Sequence, residues 1–364
     1  MRWLPLRRRP RLALALQGGG AHGAFTWGVL DALLERSPHT IDAISGTSAG
    51  AMNAVVLAHG LLDGGREGAR AALQRFWHAV GTRVPFEWLT VGEGANTTLT
   101  PMARWWMQWS RLVSPYQRSS PDADPLRALL SAQVDFERLR ATRGPQLHIA
   151  ATEAATGRLR LFARDELRLE AVLASACLPM LQPAVVIDGC AYWDGGYSAN
   201  PAVFPLVNEG QASDVLIVTL SPWAFHETPT TPAAIQQRAM DIGFNAAFLR
   251  EMRGWAEARE AVRGRWWRGP ADQRLARLHW HVIDGHGALA SLSPDSRLIA
   301  HRPFLEHLRD AGRARTIDWL ARHGAQLGRS SSADLRALFV GPPAAAFNPA
   351  GASATPGRPE PSVA

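Results

Sequence analysis

A serine, a glycine-rich loop and an aspartate followed by two glycines are the residues whose types and spacing can do chemistry in this chain. Ser48 stands in Gly46-Thr47-Ser48-Ala49-Gly50, directly after the short strand pattern that begins at Ile41 and before an alanine-rich helical pattern from Ala49 to Leu57. A serine on a sharp strand-to-helix turn sits in strained backbone, so small residues must flank it, and its hydroxyl projects where a carbonyl can approach. Gly46 and Gly50 meet that need, and the helix N-terminus aims free N–H groups at the same point. The bland alternative is a Gly/Ser-rich turn. A five-residue G-x-S-x-G does not by itself decide between the two.

The elements that must position this serine are legible around it. Leu12 to Gln17 reads as a buried strand ending in Gly18-Gly19-Gly20-Ala21-His22-Gly23, and Phe25, Val29, Leu30 and Leu33 then repeat at helical spacing to about Arg36. Strand, glycine loop, helix, second strand and elbow form one βαβ unit, which implies an α/β fold with a mainly parallel central sheet flanked by helices. Gly18, Gly20 and Gly23 also match the G-x-G-x-x-G dinucleotide fingerprint, with Asp42 about 20 residues on. A ribose-binding acid belongs at the carboxyl end of the second strand, however, and Asp42 sits at the other end. Bare N–H groups at a helix N-terminus, facing a serine on the neighbouring strand, serve acyl transfer as an oxyanion hole.

Farther along, Leu61 to Val80 continues helical, and residues 82–124 change character, with proline, glycine and a run of tryptophans. Thr100 can cap a helix started by Pro101, on which Met102, Trp105, Trp106, Trp109, Leu112 and Val113 share one apolar face and Arg104, Gln108 and Arg111 lie off it. That face reads either as a lid-like insertion touching acyl chain or membrane, or as a helix packed on the core. Strands follow at Gln146 to Thr152 and Arg158 to Phe162, then a helix from about Asp165 to Cys177. Asp194-Gly195-Gly196 comes next, in a pattern that in isolation is a turn. Val215 to Leu220 and His281 to Asp284 read as strands, and Pro232 to Arg263 and Pro303 to Arg322 as long helices. The domain plan is a basic leader over 1–10, one hydrolase-sized domain over 11–328 and a Pro/Ala/Ser-rich tail over 329–364. Within that tail only Ala333 to Val340 has helix-forming character, and Gly341 to Ala364 reads as disordered.

The net charge of +7 is concentrated, since Arg2, Arg7, Arg8, Arg9 and Arg11 lie in the first eleven positions, and the remainder gives no reason to expect nucleic acid. There is no lysine, which excludes Schiff-base and P-loop lysine chemistry. Cys177 and Cys190 are too few for a disulfide framework and read as buried free thiols. No apolar run reaches the length of a membrane span, and Leu12 to Leu16 is too short for a signal-peptide core, so the cytoplasm is the expected compartment.

A serine hydroxyl needs a base, and histidine is the usual one. Ser48, Asp194 and His286 have the chain order of an α/β-hydrolase triad, with His286 in a Gly-His-Gly loop. Such folds place several strands before the elbow, and here there is one. No H-E-x-x-H and no paired Cys/His spacing is present to hold a catalytic metal.

Taken in order, Gly18 to Gly23, Gly46 to Gly50, Ala174-Ser175-Ala176-Cys177-Leu178-Pro179 and Asp194-Gly195-Gly196 resemble the motifs of the patatin-like phospholipases, bacterial branch. The resemblance implies a Ser/Asp dyad in which Ser48 is the nucleophile and Asp194 takes its proton directly. It further implies an oxyanion hole from Gly18, Gly19, Gly20 and Gly23, motif-supporting glycines at Gly46, Gly50, Gly195 and Gly196, and no cofactor, calcium or other metal. The activity implied is hydrolysis of a lipid acyl ester, phospholipase A-like or lysophospholipase-like; the expected cytoplasmic compartment leaves peripheral contact to a membrane open. One departure stands out: position 22 is His22 where many relatives carry arginine or lysine. His22 is read as a loop residue and not as the base. A nucleotide-binding oxidoreductase using Gly18 to Gly23 and a catalytically silent membrane adaptor are the readings from other classes.

Overall fold

The computed structural model describes residues 10–83, 89–103, 105, 113–118, 124–223, 228–263, 265–266, 268–290 and 292–341. Its main sheet has eight strands. In chain order these are β1 (Arg11–Leu16), β2 (Thr40–Thr47), β3 (Gln146–Glu153), β4 (Leu159–Ala163), β5 (Val185–Ile187), β6 (Cys190–Asp194), β7 (Asp214–Thr219) and β8 (His279–Asp284). The principal helices are α1 (Gly23–Arg36), α2 (Ala49–Arg83), α3 (Leu169–Ser175), α4 (Pro232–Arg263) and α5 (Arg302–His323). α2 is two helical segments meeting at Gly64 and Gly65, whose backbone angles are not helical. A separate hairpin pairs Thr90–Val91 with Thr98–Leu99.

Side chains alternate across a strand, so the Leu-Ala alternation of β1 decides what each face meets. Leu12, Leu14 and Leu16 enter one core layer with Phe25 and Leu30 of α1, Val55 and Phe76 of α2 and Phe304 of α5. Ala13 and Ala15 enter the other, where small side chains leave room for Phe248 and Met252 of α4 and for Trp280. Helices therefore cover both faces, as a parallel sheet requires. β8, β7, β1, β2 and β3 lie side by side and parallel, while β4, β5 and β6 pair antiparallel.

β3 organises the site. One edge of it carries β4 along His148 to Thr152, so the other edge is left for β2 and β6. β2 occupies that edge as far as Thr47, opposite Ala150, and β6 arrives from the opposite direction and ends at Asp194, opposite Ala151. The two strands thus meet end to end on one edge of β3, with the residue after Thr47 facing the last residue of β6.

The structure departs from the sequence reading in three places. The helix expected from Asp165 begins at Leu169, because Arg164–Glu166 form a separate 3-10 turn in which the Glu166 carboxylate accepts the Ala163 N–H at 2.9 Å. The packing of the chain does not stop at 328, since Ser332 and Ala333 donate to the Trp280 carbonyl at 3.1 and 3.0 Å; the short helix Leu335–Phe339, which lies within the expected Ala333 to Val340, buries Leu335 in the second core. Cys177 is buried as expected, but Cys190 is exposed. Of the Trp-rich face, Met102, Trp105 and Val113 are described and exposed. Trp106, Trp109 and Leu112 lie outside the described residues, as do residues 1–9 and 342–364.

Candidate active site

Ser48 occupies the left-handed region at φ 54, a conformation a side chain adopts only when its surroundings hold it there. Its carbonyl accepts the N–H groups of Ala51 and Met52 at 2.9 and 3.1 Å, which starts α2. Its own N–H donates to Ser175 Oγ at 2.9 Å, at the end of α3. The flanking glycines are required by contact: a Cβ on Gly46 would lie 2.5 Å from the Gly50 carbonyl oxygen, and one on Gly50 would strike the Leu16 carbonyl.

Asp194 is fully buried and accepts two donors, the Gly196 N–H at 2.7 Å and the Ser48 hydroxyl. Burial pushes its carboxyl up to about 7, with the Gly196 N–H and the Ser48 O–H pulling the other way. Thr152 Oγ1 donates to the Asp194 carbonyl at 2.8 Å, and Thr47 Oγ1 donates to the Ala199 carbonyl at 2.8 Å, so the segment from Asp194 to Ala199 is tied both to β3 and to the elbow.

The glycine loop runs alongside. Gly18 packs so closely that a Cβ there would sit 2.7 Å from Ser48 Cβ. Gly20 takes φ 59, which suits glycine and turns the chain into the 3-10 turn Gly20–His22 that precedes α1. Gly19 is half-buried and Gly20 exposed, and among the described residues no partner takes their N–H groups. The geometry corrects the expected set at two positions. Gly18 gives its N–H to Asn200 Oδ1 at 2.7 Å, and Gly23 gives its N–H to carbonyls of its own turn, so neither is free for an incoming oxyanion.

This loop, elbow and aspartate fall within residues 14–207, which match the model of the patatin-like phospholipase family. The chain belongs to that family. Patatin-like phospholipases are lipid hydrolases. No curated protein matches the chain. Among solved structures, VipD from Legionella pneumophila is similar at 16% identity over 85% of this chain and 67% of its own, with a TM-score of 0.38. ExoU from Pseudomonas aeruginosa, crystallised with SpcU, is similar at 16% identity over 85% of this chain and 53% of its own, with a TM-score of 0.30. The chain spans about half to two thirds of the length of these two proteins.

Within this patatin-like site, His22 is not placed to be a base. It is buried, and Ser296 Oγ lies 2.7 Å from its Nε2. Ser296 donates its own proton to the Ser293 carbonyl at 2.6 Å, so it must accept from His22, which fixes the neutral tautomer with the proton on Nε2. Burial, and secondly the charge of Arg297, lower His22 to about 3. His286 is exposed on the turn after β8, three strands away from β2 across β7 and β1, a lateral distance of roughly 14 Å. The donors that meet Asp194 are the Gly196 N–H and the Ser48 hydroxyl, and with His286 at that distance Ser48, Asp194 and His286 do not assemble as a triad. Asp42, the candidate ribose ligand, is held at the start of β2 by Arg11 Nη1 and the Gln211 N–H, both at 2.9 Å. Among the described residues no group of three or more His, Cys, Asp or Glu converges as a metal site.

Sequence reasoning missed three amide side chains behind the loop. Gln17 Nε2 donates to Asn245 Oδ1 at 2.9 Å and to the Asn200 carbonyl at 3.3 Å, and its Oε1 accepts the Ser221 N–H at 2.9 Å. Gln17 and Asn200 border recognisable motifs, but nothing local marks Asn245, which comes from mid-α4. Ser175 stands inside the segment that carries the family likeness, but its role as acceptor for the Ser48 N–H emerges only from the fold.

Proposed function

We propose that the protein hydrolyses lipid acyl esters, phospholipase A-like or lysophospholipase-like, through a Ser48/Asp194 dyad and an acyl-enzyme. The observation that carries this reading is the Ser48 hydroxyl donated to a buried carboxylate held up to about 7, beside two free N–H groups at a helix N-terminus. In the ionised form Asp194 takes the Ser48 proton as Oγ bonds to the ester carbonyl carbon. The N–H groups of Gly19 and Gly20 meet the oxygen as it becomes negative. Collapse of the adduct breaks the ester bond, and the proton on Asp194 goes to the departing alcohol. Water then attacks the acyl-enzyme, gives its proton to Asp194, and the fatty acid leaves as the proton returns to Ser48 Oγ. No step calls on a histidine, a metal or a cofactor.

The substrate class fits the family. The test is labelling with a fluorophosphonate probe followed by turnover of phospholipid and lysophospholipid. Ser48 is the expected site of labelling, and Ser48→Ala is expected to leave only background hydrolysis. Near wild-type turnover by Ser48→Ala overturns the reading.

A further inference from the structure

We infer that Asn200 is a positioning residue of the acyl-transfer step, because its side chain takes the Gly18 N–H and thereby leaves the Gly19 and Gly20 N–H groups facing the substrate oxygen. The inference rests on the dyad reading above. Asn200 lies six residues after Asp194 in sequence and is 4% exposed. Its Oδ1 accepts the Gly18 N–H at 2.7 Å. The amide orientation follows from this bond, since a backbone N–H can be met only by the oxygen.

Gly18 needs such an anchor. It is the first loop residue after β1, and its backbone is pressed against Thr47 and Ser48 on one side. Its N–H has two outlets: towards the site, where it competes with the neighbouring N–H groups for the substrate, or away from it, as seen. The direction of one peptide constrains the next, and Gly19 and Gly20 have no side chains to hold them. With Gly18 fixed by Asn200, the turn at Gly20 presents the two following N–H groups unpaired. The residue before the loop is fixed as well, because Gln17 is held by Asn245, the Asn200 carbonyl and the Ser221 N–H.

The same segment sets the base. Asp194 begins the stretch that Thr152 and Thr47 tie down, and Asn200 ends it. One short run of chain therefore places both the proton acceptor and the hydrogen-bond donors relative to Ser48. Relaxation of Asn200 moves the donors and leaves the acceptor where it is. That separates its effect from a general loss of fold.

The experiment uses the full chain and a pair of activated esters differing only in C=O against C=S. A hole aligned for oxygen discriminates against the larger, weaker acceptor, so the ratio of the two turnover rates reads its geometry and is independent of how much protein is folded. Rates are normalised to serine titrated by a fluorophosphonate. Asn200→Ala is expected to lower turnover of the oxygen ester by roughly 10- to 100-fold, with KM within about twofold and the O/S ratio reduced about tenfold. Unchanged turnover per titrated serine with an unchanged ratio assigns Asn200 a structural role only and overturns the inference, as does a rise in KM alone. Should Asn200→Ala not fold, Asn200→Asp decides, because it keeps an acceptor oxygen for Gly18: the O/S ratio must stay near wild type whatever the added charge does to the rate, and a collapsed ratio overturns the inference. Failure of the wild-type chain to be titrated at Ser48 is a different result and removes the dyad reading itself.

Discussion

Replacing Asp194 by asparagine should destroy activity and raise stability at once. The side chain is fully buried, and burial lifts its carboxyl from 3.8 to about 7. A group with a raised folded-state pKa contributes stability that is intact below its unfolded value and is lost as pH climbs to its folded value. For Asp194 the window is therefore 3.8 to about 7. From pH 5 to the upper limit of about 7 the difference is 7 − 5 = 2 units, and at 1.36 kcal/mol per unit this is on the order of 3 kcal/mol lost by the wild type. Asparagine has no such loss, and its Oδ1 can still accept the Gly196 N–H. Urea unfolding of both proteins at pH 5 and pH 8 measures the effect, since every other titrating group contributes alike to the two chains and cancels. The stability gap should widen in favour of Asp194→Asn by a few kcal/mol between those pH values, while turnover of an ester falls at least a thousandfold. A gap that is independent of pH, or that narrows as pH rises, refutes the claim that a strained, buried carboxylate stores this energy. Retained turnover in the folded variant refutes its role as the base.

The same carboxyl sets the pH profile: kcat should rise through an acid limb near 7 and plateau above it, because only the ionised form accepts the Ser48 proton. Since that limb overlaps the range of an ordinary histidine, its position alone does not identify the base; His22→Gln and His286→Ala should leave it where it is, and a limb that moves in either variant contradicts the dyad. Ser175→Ala removes the acceptor for the Ser48 N–H and should cost about 1–2 kcal/mol in urea unfolding together with a measurable loss of kcat; unchanged stability and kcat would show that the elbow holds its left-handed residue without it. Trp105→Ala should change stability by less than about 1 kcal/mol because the side chain is exposed, and should slow long-chain p-nitrophenyl esters more than short ones; an equal loss on all chain lengths removes the acyl-contact reading.

What was legible in the sequence was what local chemistry dictates. Gly46 and Gly50 announce the elbow because no other residue fits where their Cβ atoms would meet backbone, and the Leu-Ala alternation of β1 announces a strand covered on both faces. Helix spans such as Gly23–Arg36 and Pro232–Arg263 follow from apolar spacing alone. The oxyanion set was only half legible. A run of glycines signals that N–H groups lie bare, but which of them stay unpaired depends on partners nearly two hundred residues away, and Asn200 claims Gly18 from that distance. His22 is a parallel case: the sequence places it in the loop and not as the base, but only the fold shows that burial, and secondly the charge of Arg297, makes it neutral.

The meeting of β2 and β6 explains why a base so remote in sequence needs no histidine between it and the serine. Had β6 paired on the free side of β4, Asp194 would lie three strand spacings from Ser48, with β3 and β4 between, roughly 14 Å away laterally, and no direct proton transfer between them would be possible. Because β4 fills the far edge of β3, β6 is forced onto the edge that β2 vacates at Thr47. The carboxylate then arrives in direct contact with the hydroxyl. That contact is available only at full burial, which is the origin of the raised pKa and of the acid limb. The antiparallel hairpin of β3 and β4, which carries none of the chemistry itself, is on this account what makes a two-residue mechanism geometrically sufficient. Shortening the turn between β3 and β4, where the Gly157 N–H meets the Glu153 carbonyl at 2.8 Å, so that β4 slips out of register should therefore lower kcat through the Ser48–Asp194 contact and shift the acid limb of the pH profile. If such a variant folds with wild-type kcat and an unmoved limb, edge competition on β3 does not position the base.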